Sequence, residues 1–211
     1  MGRLGSLSVE MFCQEVATDA PAPGGGSVSA AGGAMAASLA AMVARLTSGR
    51  KKYAAHDEEM KQIAGKADLL WADLVNMIDV DTEAYSEVAA AFKMPRLTPS
   101  EERGRKDAIE KASKRATEVP LATAEISYEV LKLGLDVTER GNINAVSDAA
   151  VCAYFAYAAV NGAICNVLIN LPSISDQAFC SMMREKAEDL RTGAEKLLAR
   201  VLDAREARID R

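Results

Sequence analysis

The sequence predicts an all-α protein, an up-and-down bundle of long helices that forms a single domain over residues 1–211. The chain is rich in alanine, only 5% of its residues are aromatic, and runs that alternate apolar and polar residues are scarce. Two long stretches carry apolar side chains at spacings of three and four, as one face of a helix requires. Because only short connections separate the helical stretches, sequential helices should run antiparallel.

The first two helices are predicted at Ser8–Thr18 and Val28–Arg45. The first is short and amphipathic, whereas the second carries almost no side-chain bulk. The loop Pro21–Gly26 precedes the second helix, and Ser27 is expected to be its N-cap. Two adjacent glycines inside this helix lower its propensity by about 1 kcal/mol each relative to alanine. They indicate that another backbone or a flat ligand approaches closely.

The three consecutive glycines Gly24, Gly25 and Gly26 predict one wall of a site. They leave bare backbone beside a helix N-terminus, where free N–H groups and the helix dipole attract anions. A plain turn is the alternative interpretation. No Gly-Lys-Ser/Thr follows, no strand precedes and no G-x-G-x-x-G spacing occurs, which excludes a phosphate-binding P-loop and a dinucleotide fingerprint.

The third helix is predicted over Asp57–Lys93, before Pro95, and its apolar seam contains Asp81. The other seam residues are Met60, Ala64, Ala67, Trp71, Leu74, Ile78, Tyr85, Val88 and Phe92. A carboxylate on a packed face is costly unless it is paired, hydrogen-bonded or protonated. Position alone leaves two interpretations open, a functional acid or a structural group that forms an ion pair or caps a neighbouring helix.

Two of the remaining helices follow from capping and stop signals. A capping box at Thr98 opens a helix that should end near Gly134 and bend at Pro120. The last helix should run from Asp176 to about Arg208, with Ser175 as its cap.

Between them lies an apolar helix that follows the turn Gly141–Asn144 and ends at Pro172. Asn144 or Ser147 is expected to cap it, and Asp148 lies in its first turn. Asn166 and Asn170, four residues apart, should share one of its faces.

Composition excludes several classes of function. The chain has 25 Lys and Arg against 30 Asp and Glu, a net charge of −5, so broad affinity for nucleic acid or anionic membranes is not expected. An acidic ligand would need a local basic cluster, and Arg50, Lys51 and Lys52 form one, although a solvated turn is the alternative. The uncharged stretches 28–44 and 149–175 are predicted to be buried helices rather than membrane spans.

The cysteines and the single histidine argue against a metal site or a catalytic triad. Four cysteines form no C-x-x-C pair and are predicted to be reduced thiols in the core of a cytoplasmic protein; no apolar leader precedes Ser8. His56 is expected on the surface, and no metal site is predicted. Tyr85 joins a set of carboxylates and amides that suits cofactor-free acid–base chemistry on a polar, planar molecule. That set is Asp81, Asp148, Asn142, Asn144, Asn166 and Asn170.

Several segments, strung in this order over nearly the whole chain, resemble one enzyme family. They read PAPGGGSVSAAGGAMAASLAAMVARLTSGRKKY, DVDTEAY, TPSEERGRK, VPL, GNINAVSDA and NVLINL. The chain resembles the cyclodeaminase domain of formimidoyltransferase-cyclodeaminase and the related bacterial methenyltetrahydrofolate cyclohydrolases. The amino-terminal transferase half of the bifunctional enzyme has no counterpart in these residues.

The resemblance implies a helical homodimer that acts on a one-carbon derivative of tetrahydrofolate, with no cofactor beyond tetrahydrofolate as the carrier. A cyclodeaminase closes N10 of 5-formimidoyltetrahydrofolate onto the formimidoyl carbon, and expels ammonia to give 5,10-methenyltetrahydrofolate. A cyclohydrolase opens the methenyl ring with water to 10-formyltetrahydrofolate. The segments DVDTEAY and GNINAVSDA favour the cyclodeaminase. The alternatives are the cyclohydrolase and a non-catalytic folate-binding or scaffold protein.

With this resemblance, the candidate residues take expected roles. Asp81, kept partly protonated, would give a proton to the leaving amine or relay protons at N10, and Tyr85 and Asp148 complete the catalytic set. Asp148 would also bind the amidine edge of the pterin. The expected substrate-binding residues are Pro23, Gly24, Gly25, Gly26, Ser27, Arg50, Lys51, Lys52, Asn142, Asn144, Ser147, Asn166 and Asn170. Of these, the basic residues 50–52 would meet the glutamate tail of a polyglutamylated folate.

Overall fold

The computed structural model describes residues 3–210, which form six α-helices joined by short loops and 3-10 turns, with no strand in that range. The helices are α1 (Val9–Val16), α2 (Gly25–Thr47), α3 (Asp57–Phe92), α4 (Pro99–Arg140), α5 (Val146–Asn170) and α6 (Gln177–Ile209). Helices that follow one another along the chain from α2 to α6 pack side by side. The prediction of an all-α helical bundle is confirmed.

Helix α2 lies at the centre of the bundle because its small side chains let α3, α4 and α5 approach it closely. Its fully buried alanines are Ala30, Ala36, Ala37, Ala40 and Ala44. A Cβ at Gly33 would lie only 2.7 Å from Ser127 Oγ on α4, so a larger residue there would push the two helices apart. For Gly33, the expected close approach of another element is therefore observed, and that element is α4.

Helix α2 and the segment Ile143–Ser173, which contains α5, are long and apolar enough by length and composition to cross a membrane, with mean hydropathies of 1.5 and 1.6. In the structure they pack against each other and against α4. Of their most apolar windows, 61% and 44% are buried inside the bundle. Both are therefore central helices of the fold, with one face of each left uncovered.

Helix α3 runs antiparallel to α2 and extends well beyond it. Ser48, just after α2, bonds to Asp57 at 2.8 Å, whereas Ser27 in the first turn of α2 bonds to the carbonyl of Ile78 at 2.9 Å. Because α3 continues to Phe92, its last three turns and the first turns of α4 project past the start of α2. We call this projecting part, residues 82–115, the outer hairpin.

The starts and ends of two helices differ from the prediction. Helix α2 begins at Gly25 with Gly24 as its N-cap, and not with Ser27, because the Ser27 hydroxyl is buried and bonded to α3. Helix α4 continues through Pro120 and past Gly134 to Arg140. Gly134 does not end the helix because it lies where α4 packs closely on α5; a Cβ there would be 3.4 Å from a sulfur of that helix.

Two further caps also differ. Helix α5 begins after Ala145, and neither Asn144 nor Ser147 caps it, because a 3-10 turn over Ile143–Ala145 precedes it. Helix α6 is capped by Asp176, whose side chain accepts from the backbone N–H of the third helical residue. The predicted cap, Ser175, donates instead to a glutamate of α4.

The expectation that all four cysteines belong to the core is half correct. Cys152 and Cys180 are buried, whereas Cys13 and Cys165 are exposed, and all four are free thiols. Burial raises the pKa of the Cys152 thiol to about 12, so it stays protonated and inert. The exposed pair lies on α1 and α5, on surfaces that no other part of residues 3–210 covers.

Candidate functional site

The first turn of α2 packs directly onto Asp81 of α3. The Ser27 hydroxyl lies 3.0 Å from Asp81 Oδ2, 2.9 Å from the Ile78 carbonyl oxygen and 3.3 Å from Thr82 Oγ1. The backbone N–H of Ser27 also lies close enough to the Asp81 carboxylate to stabilise its charged form. Since the N-cap residue Gly24 has no side chain to offer, Asp81 caps α2 from the neighbouring helix. The interpretation of Asp81 as a cap is therefore correct, and it does not conflict with a chemical role.

Asp81 can hold its observed position only if residue 26 is glycine. A Cβ built there would lie 2.5 Å from Asp81 Cγ and 2.7 Å from Asp81 Oδ2, well inside ordinary contact distance. The bare backbone of Gly26 therefore lets the carboxyl approach the start of α2. This explains why a glycine occupies a helical position in spite of its low propensity.

The surroundings of Asp81 favour its protonated form. Burial raises the pKa of the carboxyl above its ordinary value, while the Ser27 hydroxyl and backbone N–H partly offset this by stabilising the anion. The hydrogen bonds also fit a neutral acid, because the single Ser27 proton can point to the Ile78 carbonyl while Asp81 donates to Ser27 Oγ. Burial therefore brings the carboxyl closer than an ordinary aspartate to the balance between its charged and neutral forms, as a group that both accepts and donates a proton requires.

Other predicted residues surround this end of α2. Asn166 of α5 lies beside Gly25, where a Cβ would be 3.2 Å from its Nδ2. Both residues line a cavity of about 510 Å³ together with Gly162 and Cys165. Tyr85 lies one turn beyond Asp81 on the same face of α3, with 41% of its surface exposed. The structure thus groups Pro23, Gly24, Gly25, Gly26, Ser27, Asp81, Tyr85 and Asn166 into what we call the first cluster.

Three predicted amides have structural partners, and one of them, Asn166, donates to the Gly162 carbonyl within α5 at 2.8 Å. Asn170 donates to the Ala116 carbonyl of α4 at 2.6 Å, so its amide joins α5 to α4. Asn142 is buried, donates its Nδ2 to the Leu46 carbonyl at 3.1 Å, and accepts from the Asn144 N–H. These bonds hold the α4–α5 turn against the end of α2.

The other predicted residues lie at the opposite end of the bundle. Helix α2 has 23 residues, so its two ends are about 33 Å apart at 1.5 Å per residue. The basic turn follows the C-terminal end of α2, and Ile143 of the α4–α5 turn donates to Tyr53 in that region. What we call the second cluster consists of Arg50, Lys51, Lys52, Asn142, Asn144, Ser147 and Asp148. The structure therefore does not bring the two clusters together within the chain.

One residue next to Asp81 is absent from the sequence prediction. Thr82 brings its hydroxyl to 3.3 Å from Ser27 Oγ and so belongs to the same hydrogen-bonded group. No periodic signal marks it, because it neighbours Asp81 in sequence and falls off the apolar seam. Within residues 3–210, no three His, Cys, Asp or Glu side chains lie close enough to hold a metal ion.

Comparison with known proteins identifies the family. The family model described as "Formiminotransferase-cyclodeaminase" matches residues 8–189, most of the chain. The chain belongs to this family. The resemblance read from the sequence motifs is thereby confirmed.

Relatives in the formiminotransferase-cyclodeaminase family carry two different names. The chain is 37% identical over 206 residues to the methenyltetrahydrofolate cyclohydrolase of Methylorubrum extorquens, which covers 98% of this chain and 99% of the relative. It is 34% identical over 201 residues to the formimidoyltransferase-cyclodeaminase of Rattus norvegicus, covering 95% of this chain. The chain spans only 37% of the length of that second relative.

A solved structure supports the same family fold. The formiminotetrahydrofolate cyclodeaminase of Thermotoga maritima is similar with a TM-score of 0.87 and 32% sequence identity. The similarity covers 97% of this chain and 98% of the other. The helical bundle seen here is thus shared over the whole length of a family member.

Proposed function

We propose that the protein is a formimidoyltetrahydrofolate cyclodeaminase, which converts 5-formimidoyltetrahydrofolate to 5,10-methenyltetrahydrofolate and ammonia. The observation that carries the proposal is the Asp81 carboxyl, whose pKa is raised by burial and whose approach to α2 requires glycine at position 26. Membership of the family supplies the substrate class.

The reaction needs one group that both takes and gives a proton. N10 attacks the carbon of the protonated, cationic formimidoyl group, which becomes tetrahedral and carries an –NH2 group, and N10 loses its proton to the Asp81 carboxylate. Asp81 then returns that proton to the –NH2 nitrogen, the bond from this nitrogen to carbon breaks, and ammonia leaves the methenyl cation behind. A carboxyl with a raised pKa suits both steps, because burial makes its neutral form more accessible than in an exposed aspartate while Ser27 still stabilises the anion.

A second candidate is methenyltetrahydrofolate cyclohydrolase, which the similarity to the Methylorubrum extorquens enzyme over 99% of its length favours. In this reaction Asp81 takes a proton from water as it attacks the methenyl carbon, and then protonates N5 as the C–N5 bond breaks. The remaining hydroxyl proton leaves to solvent as the formyl carbonyl forms. Both reactions pass through a tetrahedral carbon between N5 and N10. The same carboxyl and the same binding position would therefore serve either.

A spectrophotometric assay in the near-UV band of methenyltetrahydrofolate tests both candidates. With 5-formimidoyltetrahydrofolate, growth of the band with release of ammonia would identify a cyclodeaminase. With methenyltetrahydrofolate, loss of the band faster than in buffer, without the first activity, would identify a cyclohydrolase. Tight folate binding with neither activity would leave a non-catalytic binding protein and refute the enzymatic proposal.

We also infer that the protein forms a homodimer through the uncovered faces of α2 and α5. The exposed apolar residues on these faces include Val28, Met35, Met42, Val151, Tyr154 and Phe155. Two adjoining cavities join the two faces, because Val28 and Gly32 of α2 and Phe155 of α5 line both of them. A contiguous apolar surface of this kind marks an interface between proteins. A second copy packed antiparallel would set the second cluster of one protomer near the first cluster of its partner.

The oligomeric state tests this inference. Light scattering should give twice the 22.4 kDa mass of the chain. Phe155→Glu should shift the protein towards monomer, because it places a charge at the centre of the apolar surface. Leu69→Glu is the matched control, since Leu69 on α3 is also exposed but lies outside that surface. A monomeric wild type, or equal effects of the two substitutions, would contradict the inference.

The reaction involves no oxidation or reduction, so it needs no cofactor beyond tetrahydrofolate as the carrier of the one-carbon unit. The four cysteines are free thiols, two of them exposed, which fits a reducing compartment. On these grounds we propose a cytoplasmic enzyme that requires acid–base groups alone.

A further inference from the structure

The face of α3 that carries Asp81 continues, uncovered, along the outer hairpin. Tyr85 and Phe92 lie four and eleven residues after Asp81 on that face, with 41% and 49% of their surfaces exposed. At 1.5 Å per residue, Phe92 lies about 16 Å beyond Asp81 along the helix axis. Two aromatic side chains therefore follow the candidate acid in a line that leads away from the bundle.

Arg105 of α4 is fixed at the outer end of this line. Its guanidinium lies over the Phe92 ring, with 5.6 Å between Cζ and the ring centroid. Its Nε and Nη2 donate to the Phe92 carbonyl oxygen at 3.4 Å and 3.1 Å. The carbonyl bonds and the ring together hold the cation at one position on the same side of the hairpin as Phe92.

Arg105 is not neutralised by an ion pair. It forms no salt bridge with any carboxylate of residues 3–210. By contrast, Arg115 and Lys114, farther along the same helix, pair with Glu87 and Asp176. Arg105 is thus a positioned cation whose charge is available to an anionic ligand.

We propose that the outer hairpin binds the p-aminobenzoylglutamate part of the folate, with the benzoyl ring along Tyr85 and Phe92 and the first glutamate carboxylate on Arg105. This inference rests on the proposed folate substrate. By ordinary bond lengths, the glutamate carboxylates of an extended tail lie on the order of 10–13 Å beyond N10. A reacting carbon at Asp81 would place them within reach of an arginine side chain anchored about 16 Å away.

Longer tails would pass further cations. Lys93 and Arg96 are exposed residues of the loop that closes the outer hairpin, and Lys93 directly follows Phe92. Successive γ-linked glutamates would therefore extend towards positive charge. The basic turn Arg50–Lys52 is not suited to this role within one protomer, because it follows the far end of α2, about 33 Å from Gly25.

Arg105→Gln tests the proposal against Lys106→Gln, which removes the same charge from the next, outward-facing residue. Each variant is assayed with a glutamate-bearing substrate and with its tetrahydropteroate analogue, which lacks the glutamate. Loss of a charge-assisted hydrogen bond should raise the KM of Arg105→Gln about 10- to 100-fold for the first substrate, with kcat within twofold. The KM for the analogue should be unchanged, and Lys106→Gln should behave like wild type with both.

Direct binding separates this proposal from the proposed reaction. Titration calorimetry with p-aminobenzoyl-triglutamate reports the subsite whether or not the enzyme turns over either folate. Wild type should bind this ligand, and Arg105→Gln should bind it at least 10-fold more weakly. The double variant Lys93→Gln/Arg96→Gln leaves the bonds to the Phe92 carbonyl intact, so it should lose only the affinity that the second and third glutamates add. The proposal would be overturned if Arg105→Gln raised the KM equally for both substrates, or if Lys106→Gln had the same effect as Arg105→Gln. It would also be overturned if the dependence of affinity on tail length disappeared in Arg50→Gln/Lys51→Gln/Lys52→Gln and not in the hairpin variants.

Discussion

Gly26→Ala should inactivate the enzyme through Asp81 while leaving most of the fold intact. The added Cβ would lie 2.5 Å from Asp81 Cγ, whereas ordinary contact begins near 3.4 Å, so the carboxyl must retreat by about 1 Å. That movement breaks the 3.0 Å bond from Ser27 Oγ and carries the acid away from its position. A displacement of this size costs on the order of 100-fold in rate, or about 2.7 kcal/mol in the activation free energy.

The cost to folding should be smaller, because the side chain that moves is short and half-buried. Replacing glycine inside a helix recovers up to about 1 kcal/mol of propensity, which offsets part of the lost cap. We therefore expect kcat to fall about 100-fold in the methenyltetrahydrofolate assay, with a change of only a few degrees in the thermal midpoint.

Gly65→Ala is the matched control for this substitution. Gly65 also lies inside a helix, but a Cβ there would meet no atom within 4 Å. It should stabilise the protein by about 1 kcal/mol and leave kcat unchanged. Wild-type kcat in Gly26→Ala would refute the reasoning, since the close approach of Asp81 to α2 would then have no part in the reaction.

Two further substitutions separate chemistry from stability. Asp81→Asn should lower kcat by about 10²- to 10⁴-fold, the usual contribution of a general acid or base. Because folding raises the pKa of Asp81, wild type should lose stability as the pH rises from 3.8 through the pKa of the folded protein, and Asp81→Asn should abolish this loss. Thermal midpoints that change with pH in parallel in the two proteins would contradict this expectation. Asn142→Ala should lower the free energy of unfolding in urea by about 1–3 kcal/mol, since it leaves the Leu46 carbonyl without the amide that now bonds it. An unchanged urea midpoint would show that this bond does not hold the α4–α5 turn against α2.

The helices could be read from the sequence because local signals determine them. The 3-4 seam of α3 and the capping box at Thr98 predict elements that the structure contains. The ends were predicted less well wherever packing outweighs local preference. Gly134 is a typical helix stop, yet it lies inside α4 because α5 packs against it.

Only part of the candidate site could be predicted from the sequence, because packing between helices determines the rest. Asp81 stands out in the sequence as a charge in an apolar seam, and the glycines before α2 stand out by composition. That Asp81 and Gly26 meet depends on the antiparallel register of α2 and α3, which no local pattern gives. The separation of the second cluster follows from the length of α2 and from which helices pack together. In the sequence, Arg105 is one of several charges of alternating sign between Glu101 and Arg115, and nothing local distinguishes it from them.

The start of α2 has a consequence for how the protein moves during turnover. Asp81 supplies the side-chain cap that Gly24 lacks, and its anion holds the Ser27 N–H more strongly than its neutral form does. Each proton that Asp81 accepts therefore loosens the first turn of α2, and each proton it releases tightens that turn. Amide hydrogen exchange at Ser27 should therefore be faster when Asp81 is protonated and slower when it is ionised, so that the first turn of α2 loosens and tightens with each proton transfer.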